Sequence, residues 1–362
     1  MNPSVQTLPA SLYSGRVLLP DIAKGLAVVL MIQVHLNELF AVPVWFNGWG
    51  GNISLFLGGP PAAPVFMVLM GFFAAKAKSA MKTKIFRGLK LILWGLLLNI
   101  GLNLHLFIRI AKGQIVADVF PYLFGIDIFI LAGLSLIVVA IFKQLAGKRL
   151  ILWLILMIIF GFLNQYLPVY EGGFVWLTYL QAAFNGYYHW SYFPLFPWGA
   201  YPVAGAFAYF LIEKLGYEFF NEKRLLIISV VLTVVLATTF SYGFQRTVLL
   251  QVYYHHDGLQ LLWNLAFVLW LMILLNFLCL PGRKSMIQNG LAWIGQNVTS
   301  LYVFQWLLIG NLATSLYQTQ YPLQLLFYFI TITLISALLV MFWKKVKNKF
   351  FVNLVHRQPQ QH

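Results

Sequence analysis

Charged side chains are the scarcest class in this chain. They make up 9% of its 362 residues, against roughly 25% in soluble proteins. Acidic residues are rarer still, 9 Asp and Glu against 24 Lys and Arg. A single cysteine, Cys279, excludes a disulfide framework within the chain. The sequence shows no internal repeat, and none of the paired Gly/Pro-broken segments that mark many inverted-repeat transporters. Residues 1–15 lack a basic n-region and the first apolar run is long enough to span, so a cleavable signal peptide is not expected.

What fills the chain instead is apolar: 61% of residues are hydrophobic and mean hydropathy is +0.80. A soluble core cannot hide that much apolar surface, so lipid must be the solvent for most of the molecule. Hydropathy and helix breakers predict an all-α polytopic membrane bundle of about ten spans. These fall at about 21–40, 61–76, 88–107, 119–141, 150–167, 194–213, 225–243, 260–280, 291–315 and 322–343. Residues 1–20 read as a cytoplasmic N-terminal segment, 21–343 as the helical domain and 344–362 as a basic cytoplasmic tail.

A net charge of +15 invites a nucleic-acid reading, which fails once the charges are placed. Lys76, Lys78, Lys82, Lys84, Arg87 and Lys90 share the first cytoplasmic loop if the N-terminus is inside. Later loops on that side carry Lys143, Lys148 and Arg149, then Lys214, Lys223 and Arg224, then Arg283 and Lys284. The tail adds Lys344, Lys345, Lys347, Lys349 and Arg357, leaving only Arg109, Lys112 and Arg246 outside. This is the positive-inside pattern, and it predicts both termini in the cytoplasm. With no long exterior domain, a bacterial cytoplasmic membrane is the expected home. Oligomeric state stays open, a homodimer included.

Ionisable residues inside a span are costly and point to function. The first span contains Asp21, Lys24, His35 and Glu38. Lys24 and His35 are separated by close to three turns, so they lie about 20° apart around the axis and about 16 Å apart along it. Asp21 and Glu38, three residues outside each, fall on the same side. A cation at the cytoplasmic end can hold phosphate, and a histidine deeper in can serve as a general base. A long thioester substrate such as acyl-coenzyme A has the matching shape. Lys24 pairing with Asp21 or snorkelling to headgroups, and His35 as a packing residue, are the structural alternatives.

The stretch Asp21-Ile-Ala-Lys-Gly through His35 resembles the opening motif of the transmembrane acyltransferase superfamily: Asp, then Arg-Gly, then an apolar helix ending in His. That superfamily includes the acyltransferase-three family and the heparan-α-glucosaminide N-acetyltransferase catalytic domain. Gly58–Gly71, Tyr192–Gly205 and Leu291–Gln305 look like its second, middle and late helices, the second and middle ones leaning toward the heparan-type branch. The resemblance implies transfer of an acetyl or related acyl group from cytoplasmic acyl-CoA to a sugar or glycan acceptor at the other face, without metal. Lys24 stands where the family has Arg, keeping the charge but losing the bidentate fork. Gln305 stands where many members have His. Residues 41–60 hold no histidine, so an acyl-histidine there is not expected and His35 is the motif-matched base.

Other residues carry two readings each. Asp127, placed inside the fourth span at a depth similar to His35, would orient that histidine as a triad acid or pair with another helix. Asn297, Thr299, Ser300, Tyr302 and Gln305 form a polar run in the ninth span, lining a coenzyme tunnel or bonding helices together. His105 with Arg109, and His189 with Trp190, would line an acceptor pocket or anchor the exterior interface. His255-His256-Asp257 is not read as a metal site, because adjacent residues do not face one way. The competing class is a secondary transporter or lipid-linked sugar flippase, with His35, Asp127 and Glu38 as a proton relay.

Overall fold

A computed structural model describes residues 18–170, 172–279 and 285–355, with side chains to residue 348. Arg283, Lys284 and Arg357, counted in the charge pattern, and residues 1–17 of the N-terminal segment lie outside the described residues, as does the Lys349 side chain. Among the described residues the regular structure is helical, with two isolated β-bridges.

The long elements are α1 (Leu18–Phe40), α2 (Trp49–Gly58), α3 (Ala63–Lys76), α4 (Met81–Leu102), α5 (Leu104–Ala111), α6 (Ile128–Ala146), α7 (Leu150–Phe162) and α8 (Val175–Ala182). They continue as α9 (Ala200–Leu215), α10 (Glu222–Thr238), α11 (Phe240–Val248), α12 (Leu250–Tyr254), α13 (Gly258–Leu278), α14 (Met286–Gln296), α15 (Val298–Leu316) and α16 (Pro322–Val355). Among the described residues, seven helical segments are long and apolar enough to cross a membrane, and eight if the bent pair α10–α11 counts as one span.

The expected ten spans are therefore not ten uniform rods, and side-chain chemistry explains the departures of the fourth, seventh and ninth. The fourth begins at Ile128 rather than 119, because Asp127 caps it by accepting from Phe129 N at 2.7 Å. The fifth is the short apolar helix α7, ending at Phe162. The seventh bends by 65° at Thr239. There Thr238 and Thr239 donate back to Val234 and Val235 carbonyls, and Trp263 Nε1 donates to Thr239 Oγ1. The ninth breaks at Asn297, whose Nδ2 caps the Trp293 carbonyl at 2.6 Å. The tenth is α16, which runs unbroken from Pro322 to Val355 and so extends into the basic segment.

Three helix crossings hold the bundle, each built on a reciprocal glycine contact. A Cβ on Gly25 would strike the Leu291 carbonyl, and one on Gly295 would strike the Asp21 carbonyl, locking α1 to α14. Gly71 meets Pro202 while Gly205 meets Val68, locking α3 to α9. Gly88 and Gly133 abut each other's carbonyls between α4 and α6. Lipid gives helices no hydrophobic reason to associate, so close backbone contact supplies the attraction.

The basic ends are tied together on one side. Lys84 is buried, and its ammonium donates to Ala74 O and Ala77 O, both at 3.0 Å. Lys143 donates to Ala75 O and Ala77 O, so two cations close the C-terminus of α3, where the helix dipole is negative. Lys148 pairs with Glu213 at the end of α9.

Gly25→Ala and Gly295→Ala should each destabilise the bundle by more than about 3 kcal/mol, since backbone cannot yield as a side chain can. Gly290→Ala, in open space one turn away, should be neutral or stabilising. Thermal unfolding of the purified variants measures the difference; equal melting points would remove the crossing from the account.

Candidate functional site

The four motif stretches are remote in sequence and meet in pairs. The Gly25–Gly295 crossing joins the first to the fourth, and the Gly71–Gly205 crossing joins the second to the third. The α1–α14 contact fixes the rotation of α1, and with it the stripe of ionisable side chains. At the N-terminal end of α1, Lys24 Nζ is 2.8 Å from buried Asp21 Oδ1 and 5.9 Å from the Phe73 ring centre. Part of its charge is therefore already neutralised.

Three turns up the same helix, the His35 ring lies against Trp306 with centroids 4.1 Å apart. Its Nδ1 is sealed and makes no hydrogen bond, whereas Nε2 is not sealed. Glu38, half-buried one turn further out, lies within electrostatic reach of Tyr192, Tyr253 and Tyr254.

Asp127 does not reach His35. Its two oxygens accept from Phe129 N and, at 2.9 Å, from Tyr302 OH. Tyr302 packs on Phe129 and stands one turn before Trp306 on α15, with ring centroids 6.5 Å apart. A contiguous path of contacts thus runs Asp127–Tyr302–Trp306–His35, with α15 as the intermediary. The carboxylate props the wall that His35 leans on.

The rest of the polar run in α15 divides. Asn297 is spent on the Trp293 carbonyl, and Ser300 is half-buried in the first turn of α15. Gln305 is fully buried with neither amide atom partnered.

At the end of the bundle opposite Lys24, the turn before Asp127 is sewn to the loop after α8. Ile126 N donates to Trp190 O at 2.8 Å, and Tyr192 N to Ile126 O at 3.1 Å. Trp190 is packed by Tyr179 and Tyr188, and His189 sits exposed against its edge. His105 is an anchor: its backbone N–H and its ring Nδ1 are both engaged by Asn311, and Arg109 reaches the Thr314 carbonyl.

Sequence reasoning missed Trp306 and Tyr254, and a buried network beside them. Asn264 Nδ2 donates to Tyr201 OH at 2.8 Å, and Tyr201 OH is 3.0 Å from His256 Nε2. Because His256 Nδ1 faces the Tyr253 carbonyl at 2.8 Å, it must carry the proton, so Tyr201 donates to Nε2. Gln260 extends the network through Asn264 and Thr247. The signal was legible as Gln260 and Asn264 one turn apart in an apolar helix. Asp257 turns away to pair with Arg246 at 2.6 Å, so the His-His-Asp run does not converge.

Against known families, the acyltransferase domain of the acyltransferase-three family matches residues 18–341. The chain belongs to this family. No curated protein and no solved structure matches it. The match is to the acyltransferase-three family, whereas the second and middle helices lean toward the heparan-type branch. The protein is thus an integral membrane acyltransferase.

Asp127→Ala should cost about 2 kcal/mol, since it removes the cap of α6 and strands the Tyr302 hydroxyl. Tyr302→Phe should cost about 1 kcal/mol, because the cap survives. Melting curves of the purified proteins check the order; a Tyr302→Phe loss as large as that of Asp127→Ala would contradict the capping role.

Proposed function

We propose that this acyltransferase takes an acetyl or related acyl group from cytoplasmic acyl-CoA and delivers it to a sugar or glycan acceptor entering from the opposite face, with His35 as general base. The observation that carries this reading is the setting of His35. It is the one described histidine within a spanning helix, tilted 34° against Trp306, with an unsealed Nε2.

In the reaction, Nε2 takes the proton of the acceptor hydroxyl or amine as that atom attacks the thioester carbonyl. The carbon–sulfur bond then breaks and the departing thiolate receives the proton. Trp306 holds the imidazole in plane, and Tyr302 and Asp127 hold Trp306. Glu38, nearest the exterior among the stripe residues, orients the acceptor together with Tyr192 and Tyr254, while Trp190 and His189 edge the mouth.

Lys24 serves the donor end. Its ion pair with Asp21 leaves two N–H groups for a phosphate, aided by the positive field of the lysine-rich cytoplasmic loops. Asn297 and Ser300, at the break between α14 and α15, lie near that end. The termini are placed in the cytoplasm of a bacterial cell on the strength of the basic side.

His35→Ala should lower transfer from radiolabelled acetyl-CoA by about 10²–10⁴-fold, while equilibrium binding of coenzyme A stays within twofold. Unchanged turnover would remove His35 from the chemistry. Lys24→Ala should weaken coenzyme A binding more than Lys24→Arg does; equal affinities, read by titration, would make Lys24 a membrane anchor.

A further inference from the structure

The back of α1 carries a second feature that the acyl-transfer site does not use. Gln33 and Asn37 lie about 160° around the helix from His35. There a cavity of about 280 Å³ opens between α1, α2 and α16, near the lower end of the range for ligand pockets. Its floor is polar. Ser54 Oγ donates to Gln33 Oε1 at 2.6 Å, and Gln33 Nε2 returns a bond to the Ser54 carbonyl at 3.0 Å. Asn37, 3% exposed, donates to Gly51 O and leaves Oδ1 without a partner.

The walls are Trp45, Leu57, Leu325 and Phe329, and the rim includes Ile53 and Leu326, each about half exposed. A second groove, about 600 Å³, follows α16 and shares Leu326 with the first.

Polar groups facing hydrocarbon are costly unless something polar meets them. The floor lies about 10 Å below the exterior end of α1, counting from Gln33 to Phe40 at 1.5 Å per residue. A bilayer's interfacial layer is about 5–8 Å thick on each side, so with the end of α1 at the surface the floor sits just inside the hydrocarbon edge, below the ester linkages of the surrounding lipid. Two apolar grooves meeting beside one polar floor match a molecule with one polar neck and two chains. The charged side chains of the described residues stay out of both linings, so a neutral neck fits better than a buried ionic head.

We propose that this lateral cavity holds one outer-leaflet glycerophospholipid, its ester neck on Gln33, Asn37 and Ser54 and its chains in the two grooves. The bound lipid would brace α1 from behind, on the side opposite His35. The proposal does not depend on which donor or acceptor the enzyme uses.

The test is native mass spectrometry of the full chain, moved from phosphatidylethanolamine–phosphatidylglycerol vesicles into mild detergent. The wild type should retain one phospholipid through washing that strips the rest. Ser54→Phe, filling the floor, and Leu326→Trp, filling the junction of the grooves, should each lose it. Leu226→Phe, on the exposed face of α10, should keep it. Complete stripping of the wild type, a retained mass that is not a lipid, or equal retention by both filled variants would overturn the site. Because two independent variants fill it, failure of one to fold leaves the other decisive.

Discussion

The contact on which the structure turns is the backbone meeting of α1 with α14, where Gly25 faces the Leu291 carbonyl and Gly295 faces that of Asp21. In water, an apolar stripe would set the rotation of such a helix. In lipid, the apolar faces of α1 gain nothing by leaving hydrocarbon, and a close backbone fit together with its polar side chains selects the rotation. Once Gly25 is seated, 3.6 residues per turn dictate the rest. Lys24 lies near the end of α3, His35 lies on Trp306, and Gln33 with Asn37 turn to the opposite side.

Around that rotation, the site is assembled at places where helices end or break. Asp127 is a cap rather than a mid-span acid, Asn297 splits α14 from α15, and Thr239 bends α10 into α11. Such points leave backbone groups that side chains must satisfy, and they supply the irregular geometry that a straight bundle lacks. Asp127 shows the economy of this: one carboxylate caps α6 and fixes Tyr302, which stands a turn from the tryptophan that backs His35. The basic end follows the same logic, with Lys84 and Lys143 turned inward onto the last carbonyls of α3.

Membrane class, helical fold and family were legible in the sequence because they rest on composition, on charge placement and on one helix's internal register. The Lys24–His35 relation survives since it needs only a continuous α1. The partners of each residue were not legible, because they come from helices far away in the chain. Asp127 could be placed at the right end of the bundle, but its choice of Tyr302 over His35 depends on where α6 starts, and a cap residue shortens the hydropathy run by several positions. Trp306 escaped notice for a simpler reason: a tryptophan in an apolar helix carries no signal until its neighbour across the interface is known. The glycines were visible too, yet their reciprocity appears only when the helices are docked.

The central claim is that His35 works at a chamber reached by the donor's thiol end along the Lys24 face of α1. A density map of the protein with coenzyme A bound tests this most directly. The account predicts the nucleotide end near Lys24 and the sulfur within hydrogen-bonding reach of His35 Nε2, alongside Trp306. A coenzyme seated elsewhere, or a sulfur separated from His35 by packed side chains, would contradict it.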